Sequence, residues 1–529
     1  MSAEASVLKE DRKKVLKRAF FMAGGTLTSR VLGLFRDIAL AALFDRTVTD
    51  AWTAAFRIPN LFRRLFGEGS LSVSFIPVFI EARAEDLSGQ RAQNLVNAVY
   101  TLLLIFLGLI TALGIVYAEP LLKILLADTY AMTPGKWELT LRMSQIMFSF
   151  VFFVCTYAYF MGILNALGSF AIPAMAPALL NISMLVFTFM PVAWFPQHGD
   201  GLAWGVFVGG FLQAAVLWWA LKARDYLPRF QKQVWNKDVR HVLINLLPGL
   251  LGLGLLQFAT LVNLHFASGL SEGSLSYIYW ADRLLELPLS LVSVSLGAAL
   301  LPTLSDLFQR QQKDQFRSVV REHFLLNFFL GWPAAVGLFC LAEPIVEVLF
   351  KRGHFSGNDV MQTAVVLKVY AISLLMISSV RVLVPAFYAV KNTWVPAVTS
   401  LAALVLHILW APWWIQERGL QGLVISSLLS AFVQFVAVVL CLEYFKLSFS
   451  WKQTAAEMIK MIFAGLVLAV VVQLYHPLAQ ALPPSGLIQT GILTLVICLG
   501  ATGYLFSAKL LKIEHAHFLL DYLKRKSQR

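Results

Sequence analysis

The sequence predicts an all-α polytopic membrane protein. Fourteen transmembrane helices are expected, as two six-helix lobes related by a parallel repeat plus two C-terminal helices. Three observations lead there. The 529-residue chain is 58% hydrophobic and 14% charged, with a mean hydropathy of +0.71, whereas soluble proteins carry about 25% charged residues. Its apolar runs are about twenty residues long, enough for a helix to cross about 30 Å of hydrocarbon. Its basic residues segregate into alternate connections. A soluble enzyme, a disordered chain and an outer-membrane barrel, which alternates apolar and polar residues, are excluded. No room remains for a sizeable soluble domain.

Taken in order, the chain begins with Lys9, Arg12, Lys13, Lys14, Lys17 and Arg18 ahead of an apolar stretch from Ala19. That stretch runs through Arg30 and Arg36 to Phe44, longer than the apolar region of a signal peptide, so a retained first helix is expected. Hydropathy and helix breakers place spans at 19–44, 48–80, 94–117, 138–165, 172–194, 202–221, 241–268, 274–305, 322–341, 361–388, 394–414, 420–442, 458–475 and 486–508. With a cytoplasmic N-terminus, the inside segments hold 28 Lys and Arg and the outside loops hold six: Arg46, Lys123, Lys136, Lys351, Arg352 and Arg418. This bias places both termini in the cytoplasm and agrees with an even number of spans. It also explains most of the net charge of +13 as topology and attraction to anionic membrane lipids, with no nucleic-acid partner needed. Cys155, Cys340, Cys441 and Cys498 lie far apart in apolar runs. Their spacing suits neither a metal nor a disulfide framework, and lipid-facing or packed thiols are expected.

The chain contains an internal repeat. Val73-Ser74-Phe75-Ile76-Pro77 leads into Glu81, and Gly297-Ala298-Ala299-Leu300-Leu301-Pro302 leads into Asp306, with the prolines 225 apart. Pro173 and Pro396 open spans 223 apart, and Gly201-Leu202 and Gly419-Leu420 open spans 218 apart. One period covers six helices, an even number, so both copies have the same orientation. The expected divisions are an N-lobe over 1–230, a C-lobe over 231–450, and 451–529 for the last two helices and a cytoplasmic tail. Two similar lobes that expose a site to alternate sides argue for transport. The prolines are either helix-end punctuation or points that permit bends.

Nine basic residues fall inside spans: Arg30, Arg36, Arg57, Arg63, Arg64, Arg142, Arg283, Lys368 and Arg381. Each costs about 2.5–3.5 kcal/mol at a helix centre unless it meets water or a partner. Arg57 and Arg142 lie near span ends, from which they reach the interface. Arg30 and Arg36 flank Gly33, with Ser29 and Asp37 adjoining. Arg64 and Glu68 are four apart and Arg283 and Glu286 three apart, spacings that allow pairing along a helix. The polar spans come from both lobes, as a shared central cavity requires. Two readings stand: internal ion pairs that lock the lobes, or an anion site, because arginine holds phosphate oxygens bidentately and stays charged. The excess of arginine over carboxylate suits a pyrophosphate better than a cationic drug or a metal ion.

At Thr28-Ser29-Arg30-Val31-Leu32-Gly33-Leu34-Phe35-Arg36-Asp37 the sequence resembles the MurJ (MviN) lipid II flippases of bacteria. The resemblance continues through Thr49-Asp50-Ala51 and Arg57-Ile58-Pro59-Asn60-Leu61-Phe62-Arg63-Arg64-Leu65-Phe66-Gly67-Glu68-Gly69. It resumes at Pro177-Ala178-Leu179-Leu180-Asn181-Ile182-Ser183 and Trp280-Ala281-Asp282-Arg283-Leu284-Leu285-Glu286-Leu287-Pro288. It covers essentially the whole chain. It implies the fold of the multidrug/oligosaccharidyl-lipid/polysaccharide exporter superfamily, and movement of lipid II, an undecaprenyl-pyrophosphate-linked disaccharide-peptide, from the inner to the outer leaflet for peptidoglycan synthesis. It further implies substrate-binding cavity arginines at Arg30, Arg36, Arg63 and Arg283. Polar family positions fall at Ser29, Asp37, Asp50, Glu68, Ser276 and Glu286, and the last two helices form a groove for the lipid tail. The basic segment before the first span is longer than the family pattern.

No Walker motif (GxxxxGK[ST]) is present, so energy is expected from a gradient or from product removal. A coupling ion held by Asp37 and Glu286 stays open, and no cofactor, metal site or catalytic residue is expected. The alternatives are a flippase for another polyprenyl-linked oligosaccharide, or a cation-coupled drug antiporter of the same superfamily. A membrane glycosyltransferase or ligase would need catalytic groups in a sizeable outside loop. The loops near 118–137 and 342–360 are short, and His354 is the one candidate there, expected as a solvated loop residue.

Overall fold

The computed structural model describes residues 24–517, apart from residues 26, 67–70, 87, 291, 292, 294 and 484. No strand occurs among the described residues. The chain divides into two compact units between Leu275 and Ser276.

In the first unit, α1 (27–43) is followed by α2 (Arg46–Leu65), α3 (Leu71–Glu85), α4 (Gln90–Val116), α5 (Ala118–Leu125), α6 (Lys136–Ala166), α7 (Ala171–Met175), α8 (Pro177–Thr188), α9 (Asp200–Lys222) and α10 (Lys237–Ser268). Helix α6 is the centre of this unit and packs against α2, α3, α4 and α9. Its buried residues, among them Phe150, Tyr159 and Phe160, leave no polar face, the pattern of a helix enclosed on all sides. The Tyr159 hydroxyl donates to the Val96 carbonyl on α4 at 2.7 Å, which satisfies the phenol inside the packing. Helix α10 packs chiefly against α3.

The second unit holds α11 (Ser274–Leu289), α12 (Ser295–Gln309), α13 (Lys313–Cys340), α14 (Ala342–Phe350), α15 (Gly357–Ala389), α16 (Trp394–Tyr444), α17 (Trp451–Val472), α18 (Tyr475–Ala481) and α19 (Gly486–Leu510). Here α15 is central, packing against α12, α13, α14 and α16. Its start is fixed by a capping box in which Ser356 and Asp359 each bond the other's backbone, satisfying two orphan N–H groups. The last pair, α17 and α19, closes onto α13 through Phe329, Met461, Leu468, Leu493 and Val496.

Each expected span is mostly helical where described, although the one expected at 172–194 leaves the α-helix after Thr188. Nine helical stretches among the described residues are long and apolar enough to cross a membrane by length and composition. Helix α16 contains two expected spans joined at Gly419, whose φ of 54° and ψ of −128° are open to glycine but costly for a residue with a Cβ. His407 Nδ1 meets Ser426 Oγ at 3.0 Å and Gln434 donates to Ser400 Oγ at 2.9 Å. Both pairs are centred near the glycine, so the two halves run antiparallel.

The period recurs in the helix boundaries. Helices α3 and α12 each have 15 residues with a proline inside, Pro77 and Pro302. Ala118-Glu119-Pro120 opens α5 and Ala342-Glu343-Pro344 opens α14. The expected spans 48–80 and 274–305 do not run as single regular helices. A π-helical turn follows α2 at Phe66, and another follows α11 at Ser290.

The start of α10 is held by charge. Asn236 caps it at Val239 N, 2.8 Å, and Arg91 donates to both oxygens of Asp238 at 2.9 and 2.7 Å while also meeting Glu85. Hydrogen bonds from Arg91 hold the Asp238 carboxyl below its ordinary range. A depressed native pKa contributes stability above the unfolded value, about 3.9 for an aspartate, and that contribution fades as pH falls through the native value. Accordingly Asp238→Asn is expected to lower the unfolding temperature of detergent-solubilised protein at pH 7, with the gap to the parent closing below about pH 4; a gap unchanged across that range would remove this role for the pair.

Candidate functional site

One face of α1 carries small or short residues every four positions: Gly25, Ser29, Gly33 and Asp37. A Cβ on Gly25 would lie 2.8 Å from the Ala174 carbonyl oxygen, and one on Gly33 would lie 3.7 Å from the Asn181 amide. At Gly25 the missing side chain lets the backbone approach α7 closely, whereas at Gly33 the Asn181 amide is at ordinary contact distance. Asn181 on α8 fills the space beside Gly33. Its Nδ2 donates to the Ser29 carbonyl at 2.8 Å and to Ser29 Oγ at 3.2 Å, and its Oδ1 accepts from Arg36 Nη1 at 2.8 Å. Arg36 Nε and Nη2 both donate to one Asp37 oxygen at 2.9 and 2.6 Å. Arg36 is 4% and Asp37 2% exposed. Three predicted site residues, Ser29, Arg36 and Asp37, thus form one buried network closed by Asn181. Arg30 is half-buried on the same helix.

Helix α2 places the other N-lobe residues. Asp45 caps it by accepting from Val48 N at 2.9 Å. Asp50, 1% exposed, accepts from Lys136 Nζ and from Gly273 N, both at 2.8 Å. Lys136, expected in an outside loop, is itself buried, with its ammonium 4.7 Å from the centre of the Tyr130 ring. Asp50 therefore ties the starts of α2 and α6 to the turn that follows α10. Toward the other end of α2, Arg57, Arg63 and Arg64 are half-buried, and Arg63 Nε donates to Asn60 Oδ1 at 2.8 Å. Glu68 lies outside the described residues. Arg142 donates to Asp200 at 2.7 Å.

In the second unit, Arg283 Nε and Nη2 donate to the Tyr279 hydroxyl at 3.1 Å each, and the guanidinium carbon sits 4.9 Å from that ring's centre. Nη1 reaches Glu286 at 3.1 Å, the three-residue pairing the spacing predicts. The Arg283 side chain stays 29% exposed. Ser276 is buried, next to Tyr277, whose hydroxyl donates to Asp359 at 2.7 Å. Arg63 and Glu286 each lie about one turn before a π-helical turn, and Arg283 about two turns before it; such turns are frequent at functional sites. His354 is exposed in the turn before α15.

Sequence reasoning did not single out Asn181, Asn60, Tyr279 or Lys136 as partners. For Asn181 a signal was present, since the four-residue spacing of Gly25, Ser29 and Gly33 marks a helix face built for close approach. Lys136 carried no such signal.

The fold is shared with solved structures, among them one described as a transporter of the multidrug/oligosaccharidyl-lipid/polysaccharide exporter superfamily. It matches a solved structure described as lipid II flippase MurJ in an inward closed conformation with a TM-score of 0.75 at 22% identity, over 93% of this chain and 100% of that one. An inward-facing multidrug resistance transporter of the same superfamily matches at 0.64 and 16% identity, over 79% and 95%. The chain belongs to the MurJ family: the family model described as lipid II flippase MurJ matches residues 39–486. A probable lipid II flippase MurJ of Bdellovibrio bacteriovorus is 59% identical over 528 residues, the whole of both chains. The lipid II flippase MurJ of Burkholderia cenocepacia is 32% identical over 410 residues, 77% of this chain and 79% of that protein.

Two outcomes follow from the buried networks. Lys136→Met leaves the Asp50 carboxylate without its cation and is expected to destabilise the protein by about 3 kcal/mol, measured by unfolding in detergent, with Asp50→Leu in the same chain restoring part of the loss. Asn181→Leu keeps the volume but removes the bonds to Arg36 and Ser29. It is expected to cost about 2 kcal/mol, and unfolding indistinguishable from the parent would show the α1–α8 contact to rest on packing alone.

Proposed function

We propose that the chain is a lipid II flippase of the bacterial inner membrane, with both termini cytoplasmic. In this reading it moves the undecaprenyl-pyrophosphate-linked disaccharide-peptide from the inner to the outer leaflet by alternating access. The observation that carries the reading is the family match across residues 39–486, together with 59% identity over the whole chain to a probable lipid II flippase. The arginines support it. Arg30, Arg63 and Arg283 are each half-buried, so they combine partial access with a medium that strengthens charge-assisted bonds to a pyrophosphate. Arg36 is held by Asp37 and Asn181, and from there it sets the position of α1 beside Arg30.

The proposed cycle needs no covalent step. In it Arg30, Arg63 and Arg283 take the pyrophosphate, while sugars and peptide occupy hydrated space. The polyprenyl chain stays in lipid along α17 and α19, the apolar pair outside the repeat. A membrane potential, negative inside, favours outward movement of the anionic head group by about 2.3 kcal/mol per charge per 100 mV. Coupling to a cation through Glu286 is the variant of this scheme that its carboxylate permits.

The test is rescue of cells depleted of their own lipid II flippase, with lipid II in the outer leaflet measured directly and the membrane level of each variant checked. The parent chain is expected to restore exposure. Arg30→Ala, Arg63→Ala and Arg283→Ala, at equal membrane levels, are expected to lose most of it. No exposure with a correctly inserted parent would point to another polyprenyl-linked oligosaccharide, and full rescue by all three variants would make the arginines structural.

A further inference from the structure

The connection between α9 and α10 is not a loose loop. Gln93, Asn97 and Thr101 stand four residues apart on α4, a spacing that puts them in one row. Gln93 Nε2 donates to the Leu227 carbonyl at 3.1 Å. Asn97 Oδ1 accepts from Arg229 N at 2.8 Å, and Thr101 Oγ1 accepts from Gln231 N at 3.0 Å. Four helical residues rise about 6 Å and two extended residues about 6.6 Å, so an extended segment matches the row step for step. Before this strap, Arg224 donates to Ser169 at 2.9 Å and Tyr226 packs edge-on to Phe79. After it, Arg91 holds Asp238.

Fixing the backbone leaves the side chains displayed. Arg229, Phe230, Lys232, Trp235 and Lys237 are all exposed, with Phe230 at 67% and Trp235 at 65%. Between Lys222 and Arg240 there are six basic residues. The two carboxylates in that stretch are Asp225 and Asp238, and Asp238 is engaged by Arg91. Two large aromatics held open among cations match no part of a water-facing turn. They match the boundary of a bilayer, where an aromatic ring sits at head-group level and each nearby Lys or Arg is attracted to an anionic surface. The strap follows α9, a helix long and apolar enough to cross a membrane, and precedes the span expected at 241–268.

We infer that residues 229–237 form a preorganised docking surface for anionic phospholipid head groups. Phe230 and Trp235 are its interfacial anchors, and Arg229, Lys232 and Lys237 are its phosphate contacts. Because α4 holds the strap, lipid binding there loads α4 and the start of α10 together.

The test uses the full-length protein in neutral detergent, titrated with phosphatidylglycerol or phosphatidylcholine, with retained lipid counted by native mass spectrometry and unfolding followed in parallel. The parent is expected to retain phosphatidylglycerol in preference and to unfold at higher temperature with it, an effect reduced by 0.5 M salt. Arg229→Gln/Lys232→Gln/Lys237→Gln is expected to weaken that binding at least about tenfold with unfolding unchanged in phosphatidylcholine. Phe230→Ser/Trp235→Ser is expected to reduce retention of both lipids. Undiminished preference for phosphatidylglycerol in the triple variant, or no preference in the parent, would overturn the assignment. A Gln93→Leu/Asn97→Leu variant that binds like the parent would show that the pinned backbone is not needed.

Discussion

An arginine inside hydrocarbon must find a partner or water, and much of this architecture is organised by how that demand is met. Arg36 meets it in full: one carboxylate oxygen takes two of its nitrogens and Asn181 takes a third. Gly25, where a Cβ would meet the Ala174 backbone, lets the start of α1 stand against α7. A buried ion pair adds little stability over an apolar substitute, but losing one partner is expensive. Such a pair therefore constrains placement, and here it constrains where α1 lies.

Other charges are treated differently. Arg283 is gripped by a tyrosine hydroxyl and a glutamate while its side chain remains partly exposed. Arg63 has an asparagine beside it on its own helix. These bonds orient a guanidinium that remains half-buried. Asp50 is different again. Its carboxylate joins α2, α6 and the turn after α10 through Lys136 and a backbone N–H, so it acts on the packing of the first unit. The polar residues of the arginine-bearing helices thus divide into those that hold helices and those that stay open.

The two units repeat this logic at the level of helices. In each, one long helix, α6 or α15, is enclosed by its neighbours, and the helices that carry Arg63 and Arg283 are each followed by a π-helical turn, at Phe66 and at Ser290. A turn of that kind frees backbone groups from the regular ladder and re-aims the side chains beside it. Placing such turns next to Arg63 and Glu286 concentrates adaptable structure where the charge is.

The sequence by itself determined the helical class, the approximate spans, the repeat and the arginines of interest. Hydrocarbon thickness sets segment length, and proline and glycine recur at one period in both halves. It also determined the Arg283–Glu286 pair, since three residues along a helix bring side chains together whatever surrounds them. Only the tertiary structure decided which arginine is locked and which stays open. Asn181 lies 145 residues from Arg36 and Lys136 lies 86 from Asp50, and no local spacing encodes such meetings. The same holds for the strap on α4. Its row of Gln93, Asn97 and Thr101 is legible as a polar face, but its partner is an extended backbone whose register exists only once both are folded.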